Sequence, residues 1–188
     1  MANASPSHSE GSLRRVVCAH AANQEREHPG LYSQTVEALE RFCPYDVDYV
    51  DVSTHEKAYF ELIERSWTSE SDLCLIEHDL VIHEAVFEEF DTCPEWWCAF
   101  PYSMTTCVQP GLGCTRFRKE LIMVESDVWG RVARHGNDRD VPDGLPSKHW
   151  LRCDVRLDAE LMPLGYMPHV HWPQVEHLNE RQRLRVVA

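Results

Sequence analysis

Three short apolar runs, each followed by an amphipathic stretch, shape the first half of the chain. Val16-Val17-Cys18-Ala19 follows a pair of arginines. Val47, Tyr49 and Val52 mark a second run that closes at Asp51-Val52-Ser53. Leu73-Cys74-Leu75-Ile76 is the third, with Ser-Asp before it and Glu-His-Asp after it. Four apolar residues bounded by turn signals read as a buried strand. Between the runs, Tyr32, Val36, Leu39 and Cys43 fall on one helical face, which Pro44 ends, and Tyr59, Leu62, Ile63, Ser66 and Trp67 fall on another. Val86, Phe87 and Phe90 predict a short third helix. Strand and helix in strict alternation are the pattern of βαβ units, so the expected fold is α/β, a mostly parallel sheet with helices on both faces. No internal repeat or heptad interrupts it.

The second half is less regular. The stretch 97–102 reads as a strand, and a short helix is expected from near Thr115 to Val124. Residues 126–148, rich in Gly, Asp, Arg and Pro, read as a long loop, and 150–157 as an element of open type. Residues 165–177 hold His169, His171 and His177 among aromatic and proline residues. The expected organisation is a disordered tail over 1–13, one domain over 14–180 and a basic tail over 181–188. A length of 188 residues suits a single domain.

Acid outweighs base, 31 Asp and Glu against 18 Lys and Arg, for a formal charge of −13. Such a surface argues against holding nucleic acid mainly through its phosphates. No apolar run reaches the roughly 18 residues of a membrane span. The N-terminal stretch has no apolar core of a secretory signal, so a cytoplasmic location is expected. None of the eight cysteines forms Cys-x-x-Cys. They read as reduced thiols, and Cys93 and Cys98, with four residues between them, as buried ones.

The chemistry-bearing feature is Leu73-Cys74-Leu75-Ile76-Glu77-His78-Asp79. A buried strand delivers two carboxylates, at i and i+2, to its C-terminal end, where open α/β sheets bind ligands. Crowded acids need a cation or hydrogen-bond donors, and a hard divalent ion bridging a diphosphate would serve. The plain alternative is a solvated loop after a strand. The late histidines admit a zinc-site reading, though no Asp follows His169-Val170-His171, and equally a surface loop. Trp150 and Trp172 stand out as aromatic neighbours of the late segment, able to stack on a sugar or base.

Over roughly residues 15–177, from the opening strand and the second strand ending in Asp51 to the acidic triplet and beyond, the chain resembles the GT-A fold of nucleotide-sugar glycosyltransferases. It is most similar to the inverting family that includes cellulose, chitin and hyaluronan synthases. Glu77-His78-Asp79 stands where that family has Asp-x-Asp, Gly111-Leu112-Gly113-Cys114-Thr115-Arg116 resembles its glycine-containing segment, and Trp150-Leu151-Arg152-Cys153-Asp154 falls where it has Glu-Asp. The resemblance implies a GT-A-like, Rossmann-like sheet and metal-dependent transfer of a sugar from a nucleotide-sugar donor to an acceptor hydroxyl, with inversion. It implies Mn²⁺ or Mg²⁺ held by Asp79 with His171 or His177, and Glu77 on the ribose or a metal-bound water. Asp154 is then the base, and Ala19, His20, Asp51 and Gly113 line the donor. The acceptor stays open among protein, glycan, lipid and modified nucleobase, as does the oligomeric state. Rival readings are a metal-dependent hydrolase or nucleotidyl transferase, and a non-catalytic nucleotide- or sugar-binding module.

Overall fold

The computed structural model describes residues 14–23, 28–55, 57–103, 108–109, 111–134 and 153–178. Both expected tails, most of the 126–148 loop and Trp150 lie outside them. In chain order the elements are β1 (Arg14–His20), β2 (Ala22–Asn23), β3 (His28–Pro29), α1 (Ser33–Phe42), β4 (Val47–Asp51), α2 (Ala58–Ser66), β5 (Asp72–Glu77), β6 (Leu80–Val81), α3 (Ala85–Thr92) and β7 (Trp97–Ala99). There follow β8 (Tyr102–Ser103), β9 (Val108–Gln109), β10 (Cys114–Phe117), α4 (Lys119–Val124), α5 (Val128–Arg134), α6 (Cys153–Leu161), a 3₁₀ turn at Met162–Leu164, β11 (His169–Val170) and β12 (Glu176–His177).

The six-stranded sheet has the order β11-β7-β10-β5-β1-β4. β1 pairs in parallel with both β4 and β5, Val16 facing Val47 on one side and Cys74 on the other. β10 runs antiparallel to β5 and β7, and β11 is parallel to β7. The sheet is therefore mostly parallel, with one reversed strand at its centre. Strand alternation divides the core. Val17, Ala19, Leu73, Leu75, Trp97 and Phe117 meet α2, α4, α5 and α6 on one face. Val16, Cys18, Cys74, Ile76, Cys98 and Cys114 meet α1 and α3 on the other. Apolar residues at both alternating positions are what a sheet covered on both sides requires. The cysteines among them are free, buried thiols packing as small hydrophobes.

Three expectations need correction. Thr115 opens no helix: it lies in β10, and the helix begins only at Lys119. The stretch expected as a loop contains α5, because Val128, Trp129 and Val132 form a buried stripe; the Trp129 ring packs edge-on against Phe60 and Trp67 at 5.4 and 5.9 Å. The α1 face turned inward is Thr35, Ala38 and Leu39, a rotation from the face centred on Val36. Arg116 shows how the reversed strand is fixed. Its buried guanidinium donates to the carbonyls of Phe90, Cys93 and Glu95 at 2.5, 3.0 and 3.0 Å, satisfying the end of α3 where helix carbonyls have no helical partner.

Candidate functional site at the acidic strand end

The C-terminal ends of β1, β4 and β5 lie side by side, with Gly113 at the start of the reversed β10 next to them. Register places His20 opposite Asp51, and Ala19 opposite Glu77. Backbone bonds pin the Glu77-His78-Asp79 turn. Glu77 N–H donates to the Gly113 carbonyl at 2.7 Å and His78 N–H to the Ala19 carbonyl at 3.1 Å. The His78 carbonyl accepts from Thr35 Oγ1 at 2.7 Å and from Tyr32 N–H at 3.3 Å, and the Asp79 carbonyl accepts from Leu178 N–H at 2.8 Å. Two carboxylates are thus presented from a fixed backbone, the condition for a preorganised site.

Asp79 is buried, and His177 Nε2 lies 3.3 Å from its Oδ2. β12 brings the histidine there by pairing antiparallel with β6, His177 opposite Leu80, and the imidazole stacks on Tyr102 with ring centres 5.6 Å apart. Glu77 Oε1 accepts from the Tyr59 hydroxyl at 3.0 Å. A Cβ on Gly113 would come within 2.8 Å of Glu77 Oε2 and 2.9 Å of Leu80 Cδ1, so this glycine makes room for the carboxylate. Burial pushes Glu77 up to about 7, reinforced by the Asp79 carboxylate and, more weakly, by Asp154, while the Tyr59 hydrogen bond and His177 oppose the shift.

Asp154 lies in the first turn of α6, half-buried, and its Oδ1 accepts from the N–H of Val155 at 2.8 Å. Its Oδ2 would be 3.6 Å from a Cβ on Gly111, and its charge is felt at Glu77 and Tyr102, which places it on the same side of the strand end. Asp51 is exposed. Ser53 donates to its Oδ1 through both N–H, at 2.8 Å, and Oγ, at 2.6 Å, which lowers its carboxyl below the usual range.

The structure therefore brings together Ala19, His20, Asp51, Glu77, Asp79, Gly113, Asp154 and His177. His171 goes elsewhere. Its Nδ1 is 3.0 Å from Glu89 Oε2, and its ring stacks on Phe100 at 5.0 Å, beneath α3. Trp172 is exposed, at 65%. Sequence reasoning missed Tyr59, Tyr102 and Asp158. Tyr59 sits on the apolar face of α2, where its phenol looks like core. Tyr102 lies inside the apolar run 97–102. Asp158 falls one turn after Asp154, an i, i+4 relation visible only once that segment is known to be helical.

Glu77, Asp79 and His177 gather at this strand end, but among the described residues the three ligand atoms that lie within 4.8 Å of one another are those of Cys93, His169 and His171. Neighbouring carboxylates raise Glu77, and a charge of +2 reverses the sign of that effect.

The fold is a mostly parallel six-stranded α/β sheet flanked by helices, with acids at a strand end. The chain is similar to the crystal structure of a glycosyltransferase involved in the glycosylation of the major capsid of PBCV-1. The likeness has a TM-score of 0.53 at 13% identity and covers 94% of this chain and 100% of that one. The six-stranded, helix-flanked sheet thus matches a glycosyltransferase fold. No family model and no curated protein matches the chain. Among the described residues no helix is long and apolar enough to cross a membrane.

Proposed function

We propose that the protein is a metal-dependent glycosyltransferase of GT-A type that moves a sugar from a nucleotide-sugar donor to an acceptor hydroxyl, with inversion. The observation that carries this reading is the meeting of Glu77, Asp79, Asp154 and His177 at the end of a pinned β5. The likeness to a solved glycosyltransferase supports it at the level of fold.

In this reading Asp79 and His177 hold the ion, with Glu77 on a bound water or the donor ribose. An ion held there would supply Lewis-acid neutralisation of the charge on the diphosphate. Ala19 and His20 flank the nucleobase, and the Asp51 carboxylate, kept ionised by Ser53, accepts from its imide. Gly113 leaves space beside Glu77 for the donor. Asp154, at the first turn of α6, takes the proton from the acceptor hydroxyl as the new glycosidic bond forms. Positioning both partners on rigid strand and helix ends supplies the alignment that the transfer requires.

The test is calorimetric binding of nucleoside-diphosphate sugars with and without Mn²⁺, followed by turnover with a panel of acceptors. Binding that needs both the metal and Asp79 supports the proposal. Nucleotide binding that is unchanged by chelator and by Asp79→Ala overturns it.

A further inference from the structure

A second cluster lies away from the acidic strand end, on the α1/α3 face of the sheet at the β11 edge. Cys93 follows the last turn of α3; His169 and His171 lie on and just after β11. One ligand atom from each of the three lies within 4.8 Å of the others, and Cys93 Sγ is 3.2 Å from His169 Nδ1. In a tetrahedral zinc site, with Zn–S of about 2.3 Å and Zn–N of about 2.0–2.1 Å, a sulfur and a nitrogen ligand stand about 3.5 Å apart. The cluster is near that size.

His171 adds an independent observation. It is 96% buried, given a relative exposure of 4%. Its Nδ1 faces Glu89 Oε2 at 3.0 Å. A carboxylate on one ring nitrogen fixes the tautomer that leaves the other nitrogen's lone pair for a metal, the arrangement common behind zinc-bound histidines. That other nitrogen, Nε2, is buried without a hydrogen-bond partner. A buried imidazole nitrogen left in this way is costly unless something ligates it.

We propose that Cys93, His169 and His171 form a zinc site, separate from the acidic strand end, with Glu89 orienting His171. One thiolate and two imidazoles select a borderline ion such as Zn²⁺ over Mn²⁺ or Mg²⁺. Three protein ligands would leave a fourth position open to water, and His169, alone of the three, is exposed. The ion ties the end of α3 to the edge strand β11. It thereby anchors the segment that runs on through 172–175 to β12 and carries His177 to Asp79.

The test uses the full chain, stripped with chelator and titrated with Co²⁺ alone. The expected result is a thiolate-to-cobalt charge-transfer band that saturates at one equivalent, with the strong visible absorption of a low-coordinate ion, both displaced by Zn²⁺. Cys93→Ser should lose the charge-transfer band. His169→Ala, at an exposed position, should keep the circular dichroism and thermal transition of the parent while Co²⁺ affinity falls at least tenfold. Zn²⁺ should raise the melting temperature of the parent and not of Cys93→Ser. Absence of the charge-transfer band in the parent, its persistence in Cys93→Ser, or unchanged Co²⁺ affinity in His169→Ala would each overturn the proposal. Glu77, Asp79 and His177 offer no sulfur, so failure here leaves the transferase reading standing, and failure of that reading leaves this band in place.

Discussion

His171 and His177 sit six residues apart in one segment and end in opposite chemical surroundings. His177 joins carboxylates: Asp79 at 3.3 Å, with Glu77 and Asp154 beside it. His171 joins a thiol and a second imidazole, with Glu89 behind it. At the acidic strand end burial and like charges push Glu77 up to about 7. At the α3 end the Cys98 thiol and the imidazoles of His171 and His169 push Cys93 down to about 3, against the effect of burial. Both groups are anions in the making. One is surrounded by groups that resist its charge and the other by groups that stabilise it. An ion at the first would offset repulsion. At the second it would bind a sulfur whose surroundings already favour the thiolate. The lesson is that two clusters of potential ligands in one fold can be sorted by donor softness and by the sign of their electrostatics, even when one short segment feeds both.

The largest effect that would break this contrast is at Asp79. Asp79→Ala should weaken Mn²⁺-dependent binding of a nucleoside diphosphate by about 100-fold or more, roughly 2.7 kcal/mol. Glu77→Ala should cost about tenfold, near 1.4 kcal/mol, because Glu77 acts through the ribose or a water. Calorimetry at fixed Mn²⁺ reads both, and equal losses would place Glu77 on the metal as directly as Asp79.

The two histidines give the sharpest single comparison. His177→Ala should lower Mn²⁺-dependent donor affinity about tenfold, close to 1.4 kcal/mol, with little effect on Co²⁺ charge transfer. His171→Ala should do the reverse. If both variants keep the parental Mn²⁺ dependence, the late histidine does not serve the donor site, and His177 is a structural partner of Asp79.

Gly113→Ala tests whether space beside Glu77 is required. The added methyl must displace Glu77 Oε2 or Leu80. Overpacking of this kind costs about 1–3 kcal/mol, so the thermal midpoint should fall by several degrees and donor binding should fall with it. A variant that melts normally yet binds poorly would locate the effect in Glu77 alone.

The smallest expected effect is electrostatic. Burial, with the Asp154 carboxylate adding to it, raises Asp158 from 3.8 to about 6. A carboxyl raised on folding favours the folded state while protonated and loses that contribution as pH climbs from about 4 through 6. Asp158→Asn should therefore leave stability near pH 4 almost unchanged and raise it above pH 7 by on the order of 1 kcal/mol, after allowance for partial exposure. Denaturant midpoints at the two pH values read the difference, and a gain of equal size at both would assign it to packing instead.

Much of the first half was legible because its determinants are local. The apolar runs ending at Ala19 and Ile76 are contiguous, the one ending at Val52 is broken only by Asp48 and Asp51, and each is followed by a helical face long enough for a crossover. Parallel pairing of β1 with β4 and β5, and the delivery of Glu77 and Asp79 to one edge, follow from strand periodicity and the handed, short connections between neighbours. The second half was harder because its signals are short and their meaning depends on distant partners. Thr115 reads equally as helix or strand until Leu75 and Ala99 pair with it from either side. Trp129 looked like part of a polar loop because the Phe60 and Trp67 rings that bury it are 69 and 62 residues away in sequence.

The sequence by itself determined an α/β chain, a mostly parallel sheet with apolar residues on both faces, and a pair of acids at the end of a buried strand. It also named His171 and His177 together as partners for those acids, because spacing along a chain cannot separate two histidines on one irregular segment. Only the tertiary structure decided between them. β12 pairs with β6 and sets His177 against Asp79, whereas β11 pairs with β7 and turns His171 under α3, beside a cysteine 78 residues before it. Strand pairing is long-range and cooperative, so the side on which each imidazole falls is fixed by register across the sheet, which no local pattern in the segment encodes.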